Sequence, residues 1–200
     1  HGHADADSHE VLPVVRASRA TLLRRDVVPF RRAIRAGIPA LMSAHVLFPS
    51  LDPRYPATLS GKILRDLLRE KLRFRGVLFS DALEMKAIAN DHGMGRAAVL
   101  ALRAGCDVAM VCRGEEDQAE AAEALAREWG TDGPFRNAVA VSNRRVDRFR
   151  RLLSAPRAHR ASLRLVGAKE HRAAAALLSE RWESTMKTSS DDRSGSIGER

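Results

Sequence analysis

The segment GVLFS at residues 76–80, followed by Asp81, decides the fold. A continuous apolar run of this length predicts a strand that is buried on both faces, as in a parallel sheet covered by helices. Similar runs occupy residues 38–44, with His45 directly after them, and residues 107–112. The strand-plus-helix repeat takes about 35 residues, which is typical of βα units. The sequence therefore predicts an α/β protein with a parallel sheet.

Helical patterns separate and follow these strands. They predict helices at residues 17–36, 61–73 (with Ser60 as the N-cap), 94–104, 115–129 and 142–154. After Pro156 the composition changes: residues 167–182 are compatible with one more Ala-rich helix, and the polar residues that follow are expected to be disordered. The predicted organisation is a folded part at 1–155, a helical extension at 156–183 and a disordered tail at 184–200.

The composition argues against several classes of protein. The 200 residues carry a net charge of +9, almost all of it from arginine. Because arginines alternate with acidic residues along the helical stretches, as at Arg65-Asp66, we expect a solvated helix face rather than a nucleic-acid site. No apolar run approaches a membrane span, so no membrane partner is expected. The two cysteines lack metal-site or disulfide spacing, which favours a reducing, cytoplasmic compartment.

The polar residues that could do chemistry stand at the ends of the strands and in the opening loop. In parallel α/β folds, functional groups gather at the C-terminal ends of the strands, where this sequence has His45, Asp81 and Arg113. The opening loop adds His1, His3, Asp5, Asp7 and His9. In an extended loop, side chains two residues apart lie on one side. The Asp7 carboxylate is therefore predicted to hydrogen-bond the His9 imidazole and orient it.

Each candidate also has a structural interpretation, and the residues alone leave both open. Asp81 could cap the helix that follows it, His45 could be a buried core histidine, and Arg113 could be ordinary surface charge. The His/Asp run of the opening loop could be a metal site or the remainder of an expression tag, although it matches no fixed metal geometry. Asp107 begins its strand at the opposite end, so a structural role is predicted for it.

Two of these segments resemble motifs of glycoside hydrolase family 3, in its β-N-acetylglucosaminidase branch. Residues 1–9, HGHADADSH, resemble the branch's segment that ends in Asp-Ser-His, and residues 76–85, GVLFSDALEM, resemble the signature around the family nucleophile. Related β-glucosidases typically have Trp where this chain has Ala82. The resemblance covers residues 1 to about 153 and implies a (β/α)8 TIM barrel. This chain would carry the C-terminal half of that barrel, about four βα units.

The resemblance also implies a mechanism and a set of site residues. It implies a retaining double displacement with Asp81 as nucleophile, His9 as acid/base and Asp7 as the residue that orients His9. It further implies substrate contacts for His1, His45 and Met85. The implied substrate is terminal β-linked N-acetylglucosamine of peptidoglycan or chitin fragments. No metal or organic cofactor is required.

Three alternatives remain. The chain could be an inactive fragment of such an enzyme, because half a barrel exposes two sheet edges that invite pairing with a missing half or with a second copy. It could be a family 3 glycosidase of another specificity, such as a β-glucosidase. Remotely, it could be a basic nucleic-acid-binding module. Because the chain begins at His1 without Met, in loop-like sequence, we expect the natural N-terminus and any targeting segment to be missing.

Overall fold

The computed structural model describes residues 3–4, 6–153 and 167–179. The chain divides into two compact units, residues 1–153 and 154–200. The elements of the first unit are α1 (Arg19–Arg24), α2 (Val28–Arg35), β1 (Ala40–Met42), a 3-10 turn (Ala57–Leu59), a π-helix (Lys62–Lys71), β2 (Val77–Ala82), α3 (Lys86–His92), α4 (Met94–Ala104), β3 (Val108–Met110), α5 (Glu115–Thr131) and α6 (Gly133–Leu153).

The three strands of the described residues form one parallel sheet in the order β1-β2-β3. Leu41 lies opposite Leu78, and Phe79 lies opposite Val108. Parallel neighbours require a crossover connection, and helices between the strands provide it here. The predicted parallel α/β architecture is therefore confirmed. The sheet is open, and these strands do not close into a barrel.

Small side chains form the helical layer of the core. Ala97, Ala98 and Ala101 of α4 have no exposed surface. Gly95 lies so close to α5 that a Cβ atom added to it would be 2.8 Å from the Cβ of Ala124. Leu78 of β2 belongs to the same cluster of buried residues. Alanine and glycine thus let the layers approach closely in a chain with few aromatic residues.

The helix predicted over residues 17–36 is two helices, which corrects the prediction. α1 ends at Arg24, and α2 begins at Val28 with Pro29 in its first turn. Proline has no N–H to donate to the preceding turn, so it is tolerated at the start of a helix and disrupts the interior. The periodicity of the apolar residues continues across the break, which explains why the pattern suggested one element.

Two other helices differ from the sequence-based expectation. α3 was not expected, because it spans seven residues and its N-cap, Met85, forms no side-chain capping bond. α6 begins at Gly133, well before the predicted residue 142. The Asp132 carboxylate accepts the N–H of Phe135 at 3.0 Å and so caps this early start.

Asp107 connects the beginnings of the strands to two other elements. Its Oδ2 accepts from Arg69 Nη2 at 2.6 Å and from the N–H of Leu78 at 2.9 Å, while its Oδ1 accepts from Arg145 Nη1 at 2.8 Å. The Asp107 side chain is fully buried. The pairing agrees with the structural role predicted for Asp107, and it attaches the π-helix and α6 to the sheet.

In the second unit, residues 169–179 are helical and lie within the range predicted as 167–182. The tail predicted at 184–200 falls outside the described residues. Across the described part of the chain, no helix combines the length and apolar character needed to cross a bilayer.

Candidate functional site

Asp81 lies near the end of β2, at an irregularity of the sheet. The pairing of β2 with β3 shifts register between Phe79 and Ala82. Within the shift, Ser80 Oγ accepts the N–H of Met110 at 2.8 Å and donates to the carbonyl oxygen of Asp81 at 2.7 Å. Such irregularities re-aim side chains next to active sites. The Asp81 carboxylate is half-buried, and its Oδ1 accepts the N–H of Ala82 at 2.9 Å.

His45 supports the peptide that follows Asp81. Its Nε2 lies 2.9 Å from the carbonyl oxygen of Ala82, and its Nδ1 lies 2.9 Å from Thr58 Oγ1. Because a carbonyl only accepts, Nε2 carries the proton and Nδ1 accepts from Thr58. Burial lowers the pKa of His45, against the opposing effects of the bond to Ala82 and of the nearby Asp81 charge. The ring is therefore a neutral, fully buried support.

The predicted substrate contact of His45 stays a prediction. Both ring nitrogens are engaged by the protein, so the geometry favours a positioning role. Met85, also predicted to contact substrate, is 8% exposed at the start of α3. His1 falls outside the described residues. Arg113 is exposed beyond the end of β3.

Glu84 is a site residue that the sequence analysis missed. Its Oε1 accepts the N–H of Cys112 at 3.0 Å and so joins the segment after β2 to the segment after β3. Its Oε2 is buried without a hydrogen-bond partner among the described residues. The Glu84 charge also opposes, as a minor contribution, the burial that lowers the pKa of His45. The only local signal was an acid three residues after Asp81.

Asp7 and His9 form the predicted hydrogen bond. Asp7 Oδ1 accepts from His9 Nδ1 at 2.7 Å and from the backbone N–H of His9 at 2.9 Å. These two bonds, the backbone bond first, lower the pKa of Asp7 below its ordinary value of 3.8. The carboxylate fixes the tautomer with hydrogen on Nδ1, which leaves Nε2 available for proton transfer. Both side chains are exposed.

The loop that carries this pair is held at the strand ends. Glu10 Oε2 accepts a hydrogen bond at 2.8 Å from Nζ of Lys86, which lies five residues after Asp81 in the chain. Val15 donates its N–H to the carbonyl oxygen of Leu47 at 2.9 Å, in the segment that follows β1. Ser8, between the paired residues, has no exposed surface. These contacts place the Asp7–His9 pair at the same end of the sheet as Asp81.

The described residues contain no group of three or more His, Cys, Asp or Glu side chains placed to hold a metal ion. His3 of the opening run lies instead 3.9 Å from Asp26. A cavity of 410 Å³ has a largely apolar lining from α2, β1 and the π-helix, and Asp81 is not among its lining residues. The roles predicted for Asp7, His9 and Asp81 stay predictions at this point.

Comparison with known proteins identifies the family to which this sequence is similar. Residues 1–144 match the family described as glycosyl hydrolase family 3 N terminal domain. A β-hexosaminidase from Methylococcus capsulatus is 40% identical over 149 residues, which are 74% of this chain and 44% of that protein. A β-hexosaminidase from Pseudomonas aeruginosa is 45% identical over 129 residues, 63% of this chain and 36% of that protein.

Solved structures agree with these relatives. A glycoside hydrolase family 3 β-N-acetylglucosaminidase from Paenibacillus sp. str. FPU-7 superposes with a TM-score of 0.74 at 38% identity. The superposition covers 79% of this chain and 31% of that chain. The β-N-acetylglucosaminidase from Thermotoga maritima has a TM-score of 0.66 at 33% identity, over 74% and 32% of the two chains. This chain thus spans less than half the length of the relatives it matches.

Proposed function

Because the chain belongs to glycosyl hydrolase family 3, as part of the family's N-terminal domain, we propose that it carries the catalytic residues of a retaining glycosidase. The proposed reaction removes terminal β-linked N-acetylglucosamine from peptidoglycan- or chitin-derived fragments. The observation that carries the proposal is the Asp7–His9 hydrogen bond, which leaves Nε2 of His9 available at the end of the sheet where Asp81 lies. The names of the similar proteins support the choice of sugar.

In the first proposed step, Asp81 attacks the anomeric carbon while His9, as an imidazolium, gives its Nε2 proton to the leaving oxygen. The covalent glycosyl ester on Asp81 and the released alcohol balance this step. The Asp7 carboxylate, whose pKa is lowered, stays charged and stabilises the imidazolium.

In the second step, neutral His9 takes a proton from water at Nε2. The resulting hydroxide equivalent attacks the anomeric carbon, the Asp81 carboxylate leaves, and the sugar keeps its configuration. His45 and Ser80 do not transfer protons in this scheme. They hold the peptide and strand end on which Asp81 stands.

We propose that the open sheet is the C-terminal part of a (β/α)8 barrel. The segment around Val15 already runs parallel to Leu47, which supports a neighbouring strand on the β1 side of the sheet. The remaining strands would pair with the sheet edges, either as part of a longer chain or from a second copy of this one. Self-association through these edges is therefore part of the proposal.

The test is release of nitrophenol from a chromogenic β-N-acetylglucosaminide and, in parallel, from the corresponding β-glucoside. Asp81→Asn should abolish release from the N-acetylglucosaminide. Asp66→Asn, a matched control in an exposed position on the π-helix, should leave it unchanged. Full activity in Asp81→Asn would refute the nucleophile. Faster cleavage of the glucoside would refute the proposed sugar, and no release by the unaltered chain would contradict activity of these 200 residues alone.

A further inference from the structure

A second cavity, of 280 Å³, opens at the end of the sheet opposite Asp81, where β1 and β2 begin. Its apolar part includes Ile38, Phe74 and Phe149, from the start of β1, the turn before β2 and α6. Phe149 packs edge-on against Phe79 of β2, with ring centroids 6.1 Å apart. Phe74 is buried, so the rings of Phe74 and Phe149 form a packed part of the cavity floor.

Four arginines, Arg73, Arg75, Arg145 and Arg148, line the same cavity, and no acidic residue does. Arg145 donates to Asp107, but that single carboxylate also neutralises Arg69. Within the described residues, Arg73, Arg75 and Arg148 form no ion pair. The cavity thus concentrates uncompensated positive charge.

The backbone that carries these arginines is closely constrained. Arg73 has a φ of +59°, a left-handed conformation that is uncommon for a residue with a side chain. A Cβ atom added to Gly76 would lie 2.3 Å from the carbonyl oxygen of Pro39. The turn before β2 therefore lies directly against the start of β1, and this contact constrains the backbone from which Arg73 and Arg75 extend.

We propose that this cavity binds a small phosphate monoester that carries an apolar ring or chain. A phosphate monoester has a charge of about −1.5 to −2 at pH 7 and three acceptor oxygens, which matches several uncompensated guanidinium groups. A guanidinium group can donate two parallel N–H bonds to two oxygens of one phosphate. The apolar floor receives the body of the ligand. Because the cavity lies at the opposite end from Asp81, the ligand would not compete with a sugar there.

The probe is phenyl phosphate, titrated calorimetrically into the 200-residue chain at about 0.15 M ionic strength, where exposed charges more than about 8 Å apart are largely screened. Phenol lacks the charge, and inorganic phosphate lacks the ring. We expect saturable binding of phenyl phosphate and weaker binding of both comparison compounds. Equal binding of phenol, equal binding of inorganic phosphate, or no saturable binding of phenyl phosphate would overturn the proposal.

Two double variants separate a site from general surface charge. Arg75→Gln/Arg148→Gln removes two lining arginines, and Arg144→Gln/Arg151→Gln removes two exposed arginines of α6 that do not line the cavity. The first pair should weaken phenyl phosphate binding at least about tenfold, the second less than about twofold. Equal weakening would overturn the proposal. Arg148→Lys keeps the positive charge but loses the planar guanidinium group, so its loss of phenyl phosphate affinity should lie between those of the two double variants. This conservative variant should fold in any case.

Discussion

His45 donates its Nε2–H to the carbonyl oxygen of Ala82 at 2.9 Å, so a fully buried imidazole holds the peptide that follows Asp81. The opposite nitrogen accepts from Thr58, whose hydroxyl also lies 2.9 Å from Ser43 Oγ. This chain of bonds links the segment after β1 to the end of β2. The mechanism proposed above, in which the Asp81 carboxylate attacks an anomeric carbon, requires such a rigid support, because small displacements of a reacting group cost large factors in rate.

Replacing His45 with Leu should destabilise the fold. The two side chains are similar in size, but leucine removes both hydrogen bonds of the buried ring, to the Ala82 carbonyl and to Thr58 Oγ1. At about 0.5–1.5 kcal/mol for each bond, the loss should be about 1–3 kcal/mol. Urea denaturation should show a lower midpoint at an unchanged m-value. The exposed His3→Leu is the control and should shift the midpoint little. Equal midpoints for His45→Leu and the unaltered chain would show that His45 does not support the peptide after Asp81.

The free energy of unfolding should also depend on pH, because His45 is buried. Burial lowers the pKa of His45 from 6.5, so the unfolded chain binds this proton at a higher pH than the folded chain does. Stability should therefore fall as the pH drops below about 6.5, by up to about 1.4 kcal/mol per pH unit for one such group. Burial also lowers the pKa of His92, which adds to the slope. His45→Leu should flatten the slope between pH 7 and pH 5, and His3→Leu should not.

His9→Ala should affect substrates according to their leaving group. General acid assistance contributes about 10²–10⁴-fold when the leaving alcohol is a poor one, and little when it leaves readily as dinitrophenolate. We expect a large loss on a disaccharide, a much smaller loss on the dinitrophenyl glycoside, and partial rescue by azide. His3→Ala, a histidine of the same loop, is the control. A uniform loss across leaving groups would assign His9 a structural role instead.

The sequence predicted the local features of this protein well. The apolar runs marked the three strands, and the two-residue spacing of Asp7 and His9 predicted their hydrogen bond, because both features depend on neighbours in the chain. Contacts between distant residues carry no such periodic signal. Glu84 reaches Cys112 across 28 residues, and Asp107 reaches Arg145 across 38. The break at Pro29 was missed because the apolar pattern continues through it.

Glu84 should slow the exchange of the Cys112 backbone amide hydrogen with solvent. Glu84→Ala removes the acceptor of the Cys112 N–H, and one lost hydrogen bond should accelerate exchange of this amide about tenfold. Glu84→Gln keeps a carbonyl oxygen at this position and should preserve most of the protection. Glu116→Ala, at an exposed site in the first turn of α5, is the control. Unchanged exchange at Cys112 in Glu84→Ala would show that this bond does not hold the two strand ends together.

Asp107→Ala should be the most destabilising of these substitutions. It removes the only carboxylate that pairs with both Arg69 and Arg145 in the described residues. Burial already lowers the pKa of Arg69, so leaving its charge buried with only backbone carbonyl partners should cost about 3–5 kcal/mol. Arg145→Gln should cost less, because that side chain is 28% exposed and Asp107 keeps Arg69. Urea denaturation of both variants measures the difference. A smaller loss for Asp107→Ala than for Arg145→Gln would mean that Asp107 is not the centre of this network.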